Sequence, residues 1–308
     1  MTKTIGWKSS RVAICFILFL AGVGAEFLAS PSTVDFGALK KSLEKEIKAA
    51  GVEVGLALKD LETGEGLFLN EKARMHAAST MKVAVMVEVF KQAAEGKFSL
   101  DDTLVVKNEF RSIADGSPYS LSATDDSDPE MYSRLGQKMP IRELVERMIT
   151  VSSNLGTNIL MDLVEAENIM ATLAAMGISG MEVLRGVEDS RAFERGLNNQ
   201  TDALALMQLL EAIATGRAVS EASTVEMMAI LTRQRFRAGI PAGVPEAVPV
   251  GNKTGSISGI EHDAAVVFPP GRKPYILVVL TRGVQSSEAG ERLMARLSAL
   301  IYQALGGK

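Results

Sequence analysis

The stretch HAASTMKVAVMVEVF, residues 76–90, has the spacing of a buried helix but carries a lysine where a core helix takes an apolar side chain. Ser79 precedes Lys82 by three residues, which places both side chains on one helix face, about one turn apart. An unpaired buried ammonium group is costly, and burial lowers the pKa of a lysine. We therefore predict that Lys82 is a neutral amine near Ser79, which makes it a general base beside a nucleophile.

The S-x-x-K spacing is a weak signal by itself, because it also occurs in SLEK at residues 42–45. That second copy is polar throughout, and we expect Ser42 and Lys45 to lie on a solvated helix face. Lys82 differs because the apolar run VAVMVEVF follows it. The interpretation of Ser79 as a nucleophile therefore depends on other polar clusters of the chain.

A first polar cluster, TVSSNLGTN at residues 150–158, lies between two segments with helical spacing. The hydroxyl group of Ser152 could carry a proton to a leaving group, and the carboxamide of Asn154 could orient a substrate amide. A polar turn between two helices is the alternative interpretation, and the cluster alone favours that alternative.

A second polar cluster, VGNKTGSISG at residues 250–259, has the pattern of a strand. A strand edge can pair with an extended substrate backbone, and Gly255 would let that substrate approach closely. Lys253 supplies positive charge, and the hydroxyl groups of Thr254 and Ser256 can bind a carboxylate. The alternative is an edge strand that a lysine protects from pairing with another chain.

Strand patterns lie near both ends of the chain, and helical patterns lie between them. Residues 52–71, for example, have the pattern of a β-hairpin. The predicted fold class is α+β, with one antiparallel sheet built from about residues 35–75 and 240–308. The terminal helices would cover one face, and an inserted helical block, about residues 76–239, would cover the other. We expect a site in the cleft between sheet and block.

The three motifs S-x-x-K at Ser79, S-x-N at Ser152 and K-T-G at Lys253 occur in this order along the chain. In this respect the sequence resembles the class A β-lactamases and the related penicillin-recognising serine hydrolases. The resemblance extends over about residues 35–305. It implies a three-layer α/β/α fold of the β-lactamase/transpeptidase type, and it implies acyl transfer to a serine.

The resemblance further implies a role for each matched residue on the helical side of the cleft. Ser79 would attack the carbonyl of a β-lactam or a peptide, and Lys82 would activate it directly or through water. Ser152 would help carry the proton to the leaving nitrogen. Asn154 would hold the side-chain amide of the substrate.

On the strand side, the resemblance implies substrate binding. Lys253, Thr254 and Ser256 would anchor the substrate carboxylate, beside Gly255. The backbone N–H groups of Ser79 and Ser256 would form the oxyanion hole. The implied substrate is a small-molecule β-lactam or a cell-wall peptide.

The region that would carry the deacylating base departs from the family pattern. Class A enzymes have an E-x-x-L-N motif, whose glutamate activates the hydrolytic water. In the matching region, residues 185–202, Glu188 follows Arg185 at close to the family spacing, but Leu-Asn occurs only later, in GLNN at 196–199. Glu188 is the predicted base and Glu194 the second candidate, and a loop of solvated carboxylates is the alternative. Without a placed base the acyl-enzyme would persist.

Two further departures lie around the S-x-N motif. Ser153 stands where class A enzymes usually have an aspartate, and we expect altered packing rather than lost chemistry. Residues 117–139 provide extra length between Ser79 and Ser152. Such a loop could rim the cleft and change substrate choice, with Tyr119 as the residue of interest, or it could simply be solvated.

The first 25 residues have the features of an export signal. A cationic head precedes an apolar run of about 14 residues, which is short of the ~20 needed to span a bilayer. Val23 and Ala25 suit a signal-peptidase site. We therefore predict a signal peptide at residues 1–25, a catalytic domain at 26–308, and a periplasmic or secreted protein. An uncleaved membrane anchor is the alternative.

Composition argues against several other classes of function. The only cysteine, Cys15, lies in the signal, so the mature chain would have no disulfide and no cysteine metal site. Signal removal leaves 30 cationic against 37 acidic residues and changes the net charge from −4 to −7, which disfavours nucleic-acid binding. His76 and His262 are the only histidines and form no metal-ligand pattern, so we expect them to pack or to form hydrogen bonds. No metal and no cofactor is expected.

The preferred hypothesis is an exported, monomeric serine β-lactamase that hydrolyses the β-lactam amide. A D-alanyl-D-alanine peptidase or an esterase-type hydrolase on the same fold is the main enzymatic rival, because the shared motifs support acylation in all three. A penicillin-binding sensor, acylated without turnover, is a rival from another class. The sequence disfavours a sensor because it shows no transmembrane signalling segment beyond the N-terminal run.

Overall fold

A five-stranded antiparallel sheet joins the two ends of the chain in the computed structural model, which describes residues 34–307. The predicted signal peptide lies outside the described residues. The strands are β1 (Glu53–Asp60), β2 (Gly66–Leu69), β3 (Met75–His76), β4 (Thr103–Val105), β5 (Phe110–Arg111), β6 (Pro118–Tyr119), β7 (Lys138–Pro140), β8 (Gln200–Thr201), β9 (Val250–Ile257), β10 (Ile260–Val267) and β11 (Tyr275–Arg282). The sheet order is β2-β1-β11-β10-β9, which confirms the predicted sheet and places β9 at an edge.

Helices cover both faces of this sheet and fill the middle of the chain. The α-helices are α1 (Phe36–Ala50), α2 (Lys82–Ala94), α3 (Ile141–Thr150), α4 (Asn154–Val164), α5 (Ala166–Ala175), α6 (Ser190–Glu194), α7 (Ala203–Ala214), α8 (Glu221–Thr232) and α9 (Ser287–Ala304). Short 3-10 turns span Ala78–Met81, Pro129–Arg134 and Ile240–Gly243. Within residues 34–307, no helix has both the length and the apolar character needed to cross a membrane.

The ends of the terminal helices follow their sequence signals. Asp35 caps α1 by accepting a hydrogen bond from the Ala38 N–H. Gly51 ends α1 in the left-handed conformation, at a φ of 66°, where a glycine has no Cβ penalty. Ser286 caps α9 in the same way as Asp35 caps α1, through the Ala289 N–H.

The side chains of β11 show how the layers are divided. Ile276, Val278 and Leu280 belong to the large core shared with the helical block, and α7 packs on this face. Leu277 and Val279 are also buried but point to the opposite face, because successive strand residues alternate. Helices α1 and α9 pack together on that opposite side. The arrangement confirms the three-layer α+β fold.

Helix α2 is the centre of the helical block. Every residue from Lys82 to Phe90 is buried, and α3, α4, α5, α7 and α8 all contact the helix. A helix that is buried around its whole circumference needs such surroundings. The sequence spacing predicts helix over residues 76–90, but the structure has a 3-10 turn at Ser79 and the α-helix begins at Lys82. Both side chains nevertheless stay at the same end of the helix.

Candidate active site

Ser79 lies at the opening of the cleft between the sheet and the helical block. It is partly exposed, and the preceding Ala78 has a φ of 46°, an uncommon conformation for a residue with a side chain. Two cavities meet at this point, one of about 600 Å³ and one of about 340 Å³. Both are lined by Ser79, Asn154 and Ser256. A ligand in either cavity would therefore reach the Ser79 hydroxyl group.

The edge strand β9 approaches the turn that carries Ser79 very closely at Gly255. A Cβ atom on Gly255 would lie 3.1 Å from the backbone nitrogens of both Ser79 and Thr80. Any larger residue would push the strand away from the turn. Gly255 therefore sets the distance between β9 and the turn that carries Ser79, the two segments predicted to form the oxyanion hole.

Lys82, the first residue of α2, is fully buried. Its Nζ donates hydrogen bonds to the Ser152 carbonyl oxygen at 2.6 Å, to Ser152 Oγ at 3.2 Å and to Asn154 Oδ1 at 2.8 Å. Burial lowers its pKa to about 7, although the negative charges of Asp126 and Glu188 act in the opposite direction. At neutral pH a substantial fraction of Lys82 is therefore an uncharged amine that can accept a proton.

Lys253 is a second buried amine, and it meets the first at Ser152. Its Nζ donates to Ser152 Oγ at 3.0 Å and to the Thr254 carbonyl oxygen at 2.9 Å. Burial and the nearby charge of Lys82 hold its pKa well below the ordinary value, while Asp263 opposes this shift. The Ser152 hydroxyl group thus bridges two lysines, and Ser152 has a φ of 60°, as expected for a residue held at a strained site.

Asn154 connects Lys82 to the candidate deacylating base. Its Oδ1 accepts from Lys82, and its Nδ2 donates to Glu188 Oε1 at 2.8 Å. Glu188 as a whole residue is exposed, and it lines the larger cavity. The surroundings of its carboxyl group nevertheless remove part of its water, which raises its pKa, while the hydrogen bond from Asn154 acts in the opposite direction. Glu194, the second candidate, is exposed and lines neither cavity.

The backbone beside Glu188 is held by Asn158 on α4. The Val187 N–H donates to Asn158 Oδ1 at 2.7 Å, and Asn158 Nδ2 donates to the Val187 carbonyl oxygen at 3.1 Å. The same Nδ2 donates to the Tyr119 hydroxyl oxygen at 3.2 Å. Tyr119 does not line either of the two cavities at Ser79, so its contact with the site runs through Asn158.

The GLNN segment closes the loop that carries Glu188. Arg185 is buried and donates to the Leu197 carbonyl oxygen at 2.9 Å and to Asn198 Oδ1 at 3.0 Å. Asn199 Oδ1 accepts from the backbone N–H groups of Leu184 and Arg185. The two asparagines thus anchor the two ends of the loop to each other.

Comparison with known proteins identifies the family of this chain. A family model described as "Beta-lactamase enzyme family" matches residues 38–305, nearly all of the described chain. The chain belongs to this family. Beta-lactamase AST-1 of Nocardia asteroides is 31% identical over 197 residues, which cover 61% of this chain and 62% of that protein. The matched segment therefore spans less than two thirds of the length of that relative.

Solved structures of the β-lactamase family share the fold. A beta-lactamase from Sphaerobacter thermophilus superposes with a TM-score of 0.76 at 24% identity, covering 89% of this chain and 98% of that one. A single-site variant of PBP-A, solved as an acyl-enzyme complex with penicillin G, superposes with a TM-score of 0.75 at 23% identity, covering 88% and 97%. These similarities establish the β-lactamase fold for this chain.

This β-lactamase-family site contains a carboxylate that the sequence did not indicate. Asp126, from the loop of residues 117–139, accepts hydrogen bonds from the Asn154 N–H at 3.0 Å and the Leu155 N–H at 2.8 Å. It thereby binds the positive end of α4, which has no acid in its first turn. Ser153, in the usual aspartate position, caps the same helix through the Gly156 N–H. The absence of an acidic residue from the first turn of α4 was the one sequence feature that pointed to an outside carboxylate, but it could not identify Asp126 as that residue.

A second carboxylate missed by the sequence lies on the strand side. Ser256 Oγ donates to Glu261 Oε2 at 2.8 Å, across the β9–β10 pair. The Ser256 hydroxyl group was expected to bind a substrate carboxylate, but in this structure its proton is directed to Glu261. No sequence motif marks Glu261, because its proximity to Ser256 depends on the register of two strands.

Both histidines form hydrogen bonds in neutral form. His262 is buried; its Nδ1 accepts from the Thr281 N–H, and its Nε2 lies 3.0 Å from the His76 carbonyl oxygen. Burial lowers the pKa of His262 to about 4. His76 Nδ1 accepts from the Ala78 N–H, which helps to shape the turn before Ser79. Residues 34–307 contain no group of His, Cys, Asp and Glu side chains arranged to hold a metal ion.

We predict that Asp126→Asn destabilises the start of α4 and shifts the protonation equilibrium of Lys82. The variant should lose ~1–3 kcal/mol of unfolding free energy, because two N–H groups at the start of α4 lose a charged acceptor. The pKa of Lys82 should fall, because a negative charge that favours the ammonium form is removed. Urea unfolding and an NMR titration of the Lys82 Cε signal measure the two effects.

The matched control for this prediction is Asp125→Asn. Asp125 is the exposed neighbour in the same loop, and its substitution should leave the unfolding free energy within about 0.5 kcal/mol of the parent protein. Equal effects of the two substitutions would show that the Asp126 contacts with α4 do not contribute.

Proposed function

We propose that this chain is an exported serine β-lactamase that hydrolyses the β-lactam amide through an acyl-enzyme on Ser79. The observation that carries this proposal is the Ser152 hydroxyl group, which is held between the buried amines of Lys82 and Lys253 and lines the same cavity as Ser79. Such an arrangement can take a proton from a nucleophile and deliver it to a leaving group. Membership of the beta-lactamase enzyme family supports the substrate class.

In the acylation step, Ser79 Oγ attacks the lactam carbonyl carbon and its proton passes to the neutral amine of Lys82. The developing oxyanion is stabilised by the backbone N–H groups of Ser79 and Ser256. The ring C–N bond then breaks, and the leaving nitrogen receives a proton from Ser152, which is replenished by the protonated Lys82. The lowered pKa of Lys82 suits it to both directions of this transfer.

In the deacylation step, Glu188 accepts a proton from a water molecule that attacks the ester carbonyl of the acyl-enzyme. The ester C–O bond breaks, and Ser79 Oγ takes back the proton held by Glu188 as the acid product leaves, which returns both residues to their starting state. The hydrogen bond from Asn154 orients the Glu188 carboxylate within the larger cavity. Partial burial keeps this carboxylate more basic than an exposed one, which favours its role as a general base.

A penicillin-binding peptidase or sensor is the second candidate function. The fold similarity to PBP-A, whose variant was solved as an acyl-enzyme with penicillin G, supports this candidate. The departure of the Glu188 loop from E-x-x-L-N supports it as well. An esterase-type hydrolase would use the same acylation residues. The persistence of the acyl-enzyme distinguishes a peptidase or sensor from a β-lactamase.

We predict steady hydrolysis of a chromogenic cephalosporin by the purified protein of residues 26–308. Ser79→Ala should lower kcat by about 10³-fold or more, because no acyl-enzyme can form. Glu188→Gln should lower kcat by about 10²–10⁴-fold and leave a stable adduct on Ser79, because the general base of deacylation is lost. Absorbance kinetics and intact-protein mass spectrometry measure turnover and adduct together.

Two conservative controls accompany these variants. Ser42→Ala alters the other S-x-x-K serine, which bonds only to its own helix at the Ala38 carbonyl oxygen, and Glu194→Gln alters the exposed carboxylate of the same loop. Both should retain parent activity. A stable adduct on the parent protein without turnover would replace the β-lactamase proposal by a peptidase or sensor, and the absence of both would reject β-lactams as substrates.

The acylation rate constant should rise with pH, most steeply near pH 7. Lys82 accepts the Ser79 proton only as a neutral amine, and the neutral fraction grows as the pH rises through the Lys82 pKa of about 7. Stopped-flow measurement on Glu188→Gln isolates acylation, because its acyl-enzyme accumulates. The midpoint in this variant should lie below that of the parent protein, because the Glu188 charge that raises the Lys82 pKa is removed. A rate constant that does not change between about pH 5.5 and 8.5 would exclude Lys82 as the base.

The proposed export depends on residues 1–25, which have the sequence features of a cleaved signal. Expression of the full chain in a Gram-negative host should release a periplasmic protein whose mass corresponds to residues 26–308. Mass spectrometry of the periplasmic and membrane fractions tests this. Full-length chain confined to the membrane fraction would favour the uncleaved anchor.

A further inference from the structure

The smaller cavity at Ser79 is lined by acidic side chains where a carboxylate-binding end was expected. Asp125, Glu261 and Glu291 all line it, together with Ser152, Thr254 and Ser256 among others. No lysine or arginine is among the described residues that line this cavity. Because Ser152 is the proposed donor to the leaving nitrogen, this cavity receives the part of a β-lactam attached to that nitrogen.

Glu261 is the most firmly held of these acids. Only 5% of its surface is exposed, and Ser256 Oγ donates to its Oε2 at 2.8 Å. It lies directly opposite Ser256 in the β9–β10 register. Helix α9 packs on its stem so tightly that a Cβ atom on Gly290 would lie 2.6 Å from Glu261 Cβ. A side chain fixed in this way keeps its carboxylate next to the cleft.

The hydrogen bond to Glu261 changes what Ser256 can offer to a ligand. A hydroxyl group has one proton, and here that proton is directed to Glu261, so the exposed side of Ser256 Oγ can only accept a hydrogen bond. A ligand carboxylate, which is also only an acceptor, finds no donor there. A group with positive charge or with N–H donors finds acceptors on Ser256, Glu261 and Glu291.

The cationic side chains near the smaller cavity do not neutralise its carboxylates. Lys253 Nζ is buried and directed to Ser152 and to the Thr254 carbonyl oxygen. Arg235 and Arg237 flank the cavity residue Phe236 in sequence, but both are exposed and line no part of the cavity. The charged side chains that line the cavity are therefore all carboxylates.

We propose that Glu261 is a specificity-determining residue, which makes this end of the cleft select β-lactams that carry a cationic substituent on the leaving-ring side. The inference rests on the proposed β-lactamase function and deepens it. Glu261 opposes a purely anionic leaving ring by charge repulsion and by its use of the Ser256 proton. A cationic substituent removes the repulsion by pairing with the carboxylates.

The test uses two cephalosporins with the same thienylacetyl side chain, one with a pyridiniomethyl group and one with a neutral acetoxymethyl group at ring position 3. The parent protein should have the higher kcat/KM for the pyridiniomethyl compound, by about 10-fold. Glu261→Gln, which keeps an acceptor for Ser256 but removes the charge, should reduce this ratio about 5-fold or more. Glu246→Gln, an exposed acid that does not line the cavity and does not act on the Glu261 carboxyl group, should leave the ratio unchanged.

Circular dichroism establishes that each variant is folded. If Glu261→Gln fails to fold, Glu291→Gln from the same cavity should reduce the ratio in the same direction. An unchanged ratio in the folded cavity variant, with chromogenic turnover intact, overturns the inference and leaves the proposed function standing. If the protein does not turn over β-lactams, calorimetry can measure the binding of the two compounds to Ser79→Ala and to Ser79→Ala/Glu261→Gln. Equal affinities of Ser79→Ala for the two compounds then overturn the inference, whatever the outcome for the proposed function.

Discussion

The site depends on one physical constraint, which is the complete burial of the Lys82 amine inside an apolar helical block. A buried amine needs hydrogen-bond acceptors, and it finds them on Ser152 and Asn154, at the junction of α3 and α4. These contacts hold the S-x-N segment in place, including the left-handed backbone of Ser152. The same burial lowers the pKa of Lys82 to about 7, so the packing that positions the residues also provides the base.

Lys253 is a second fully buried lysine, and its amine must also be accommodated at Ser152. Lys82 and Lys253 both donate to the Ser152 hydroxyl group, and the charge of Lys82 lowers the pKa of Lys253. The surrounding carboxylates offset part of this cost, with Asp126 and Glu188 near Lys82, and Asp263 near Lys253. The charges of the site therefore form one coupled set, drawn from α2, the loop before α3, the Glu188 loop and the sheet.

Much of the fold and of the candidate site could be predicted from local sequence. The hairpin of β1 and β2, the capped helix α1 and the terminal helix α9 all have strong local signals, and the structure places them as expected. The start of α2 could not be predicted from helical spacing, because the chain at Ala78 and the hydrogen bond to the His76 ring form a 3-10 turn that this spacing does not reveal. Asp126 could not be predicted at all, because the 117–139 loop has no periodicity that would position one of its many acids.

The sequence by itself determined the chemistry available to this protein: a serine one turn from a buried lysine, the S-x-N and K-T-G segments, and the order that relates the chain to a family. Local spacing suffices for this, because a helix or a strand imposes its own geometry on nearby residues. Only the tertiary structure decided which carboxylates face the cleft. Asn154 bonds to Glu188, 34 residues further along the chain, and so links it to Lys82. Strand register places Glu261 opposite Ser256, five residues before it. Such contacts depend on how separate elements pack, which no local pattern records.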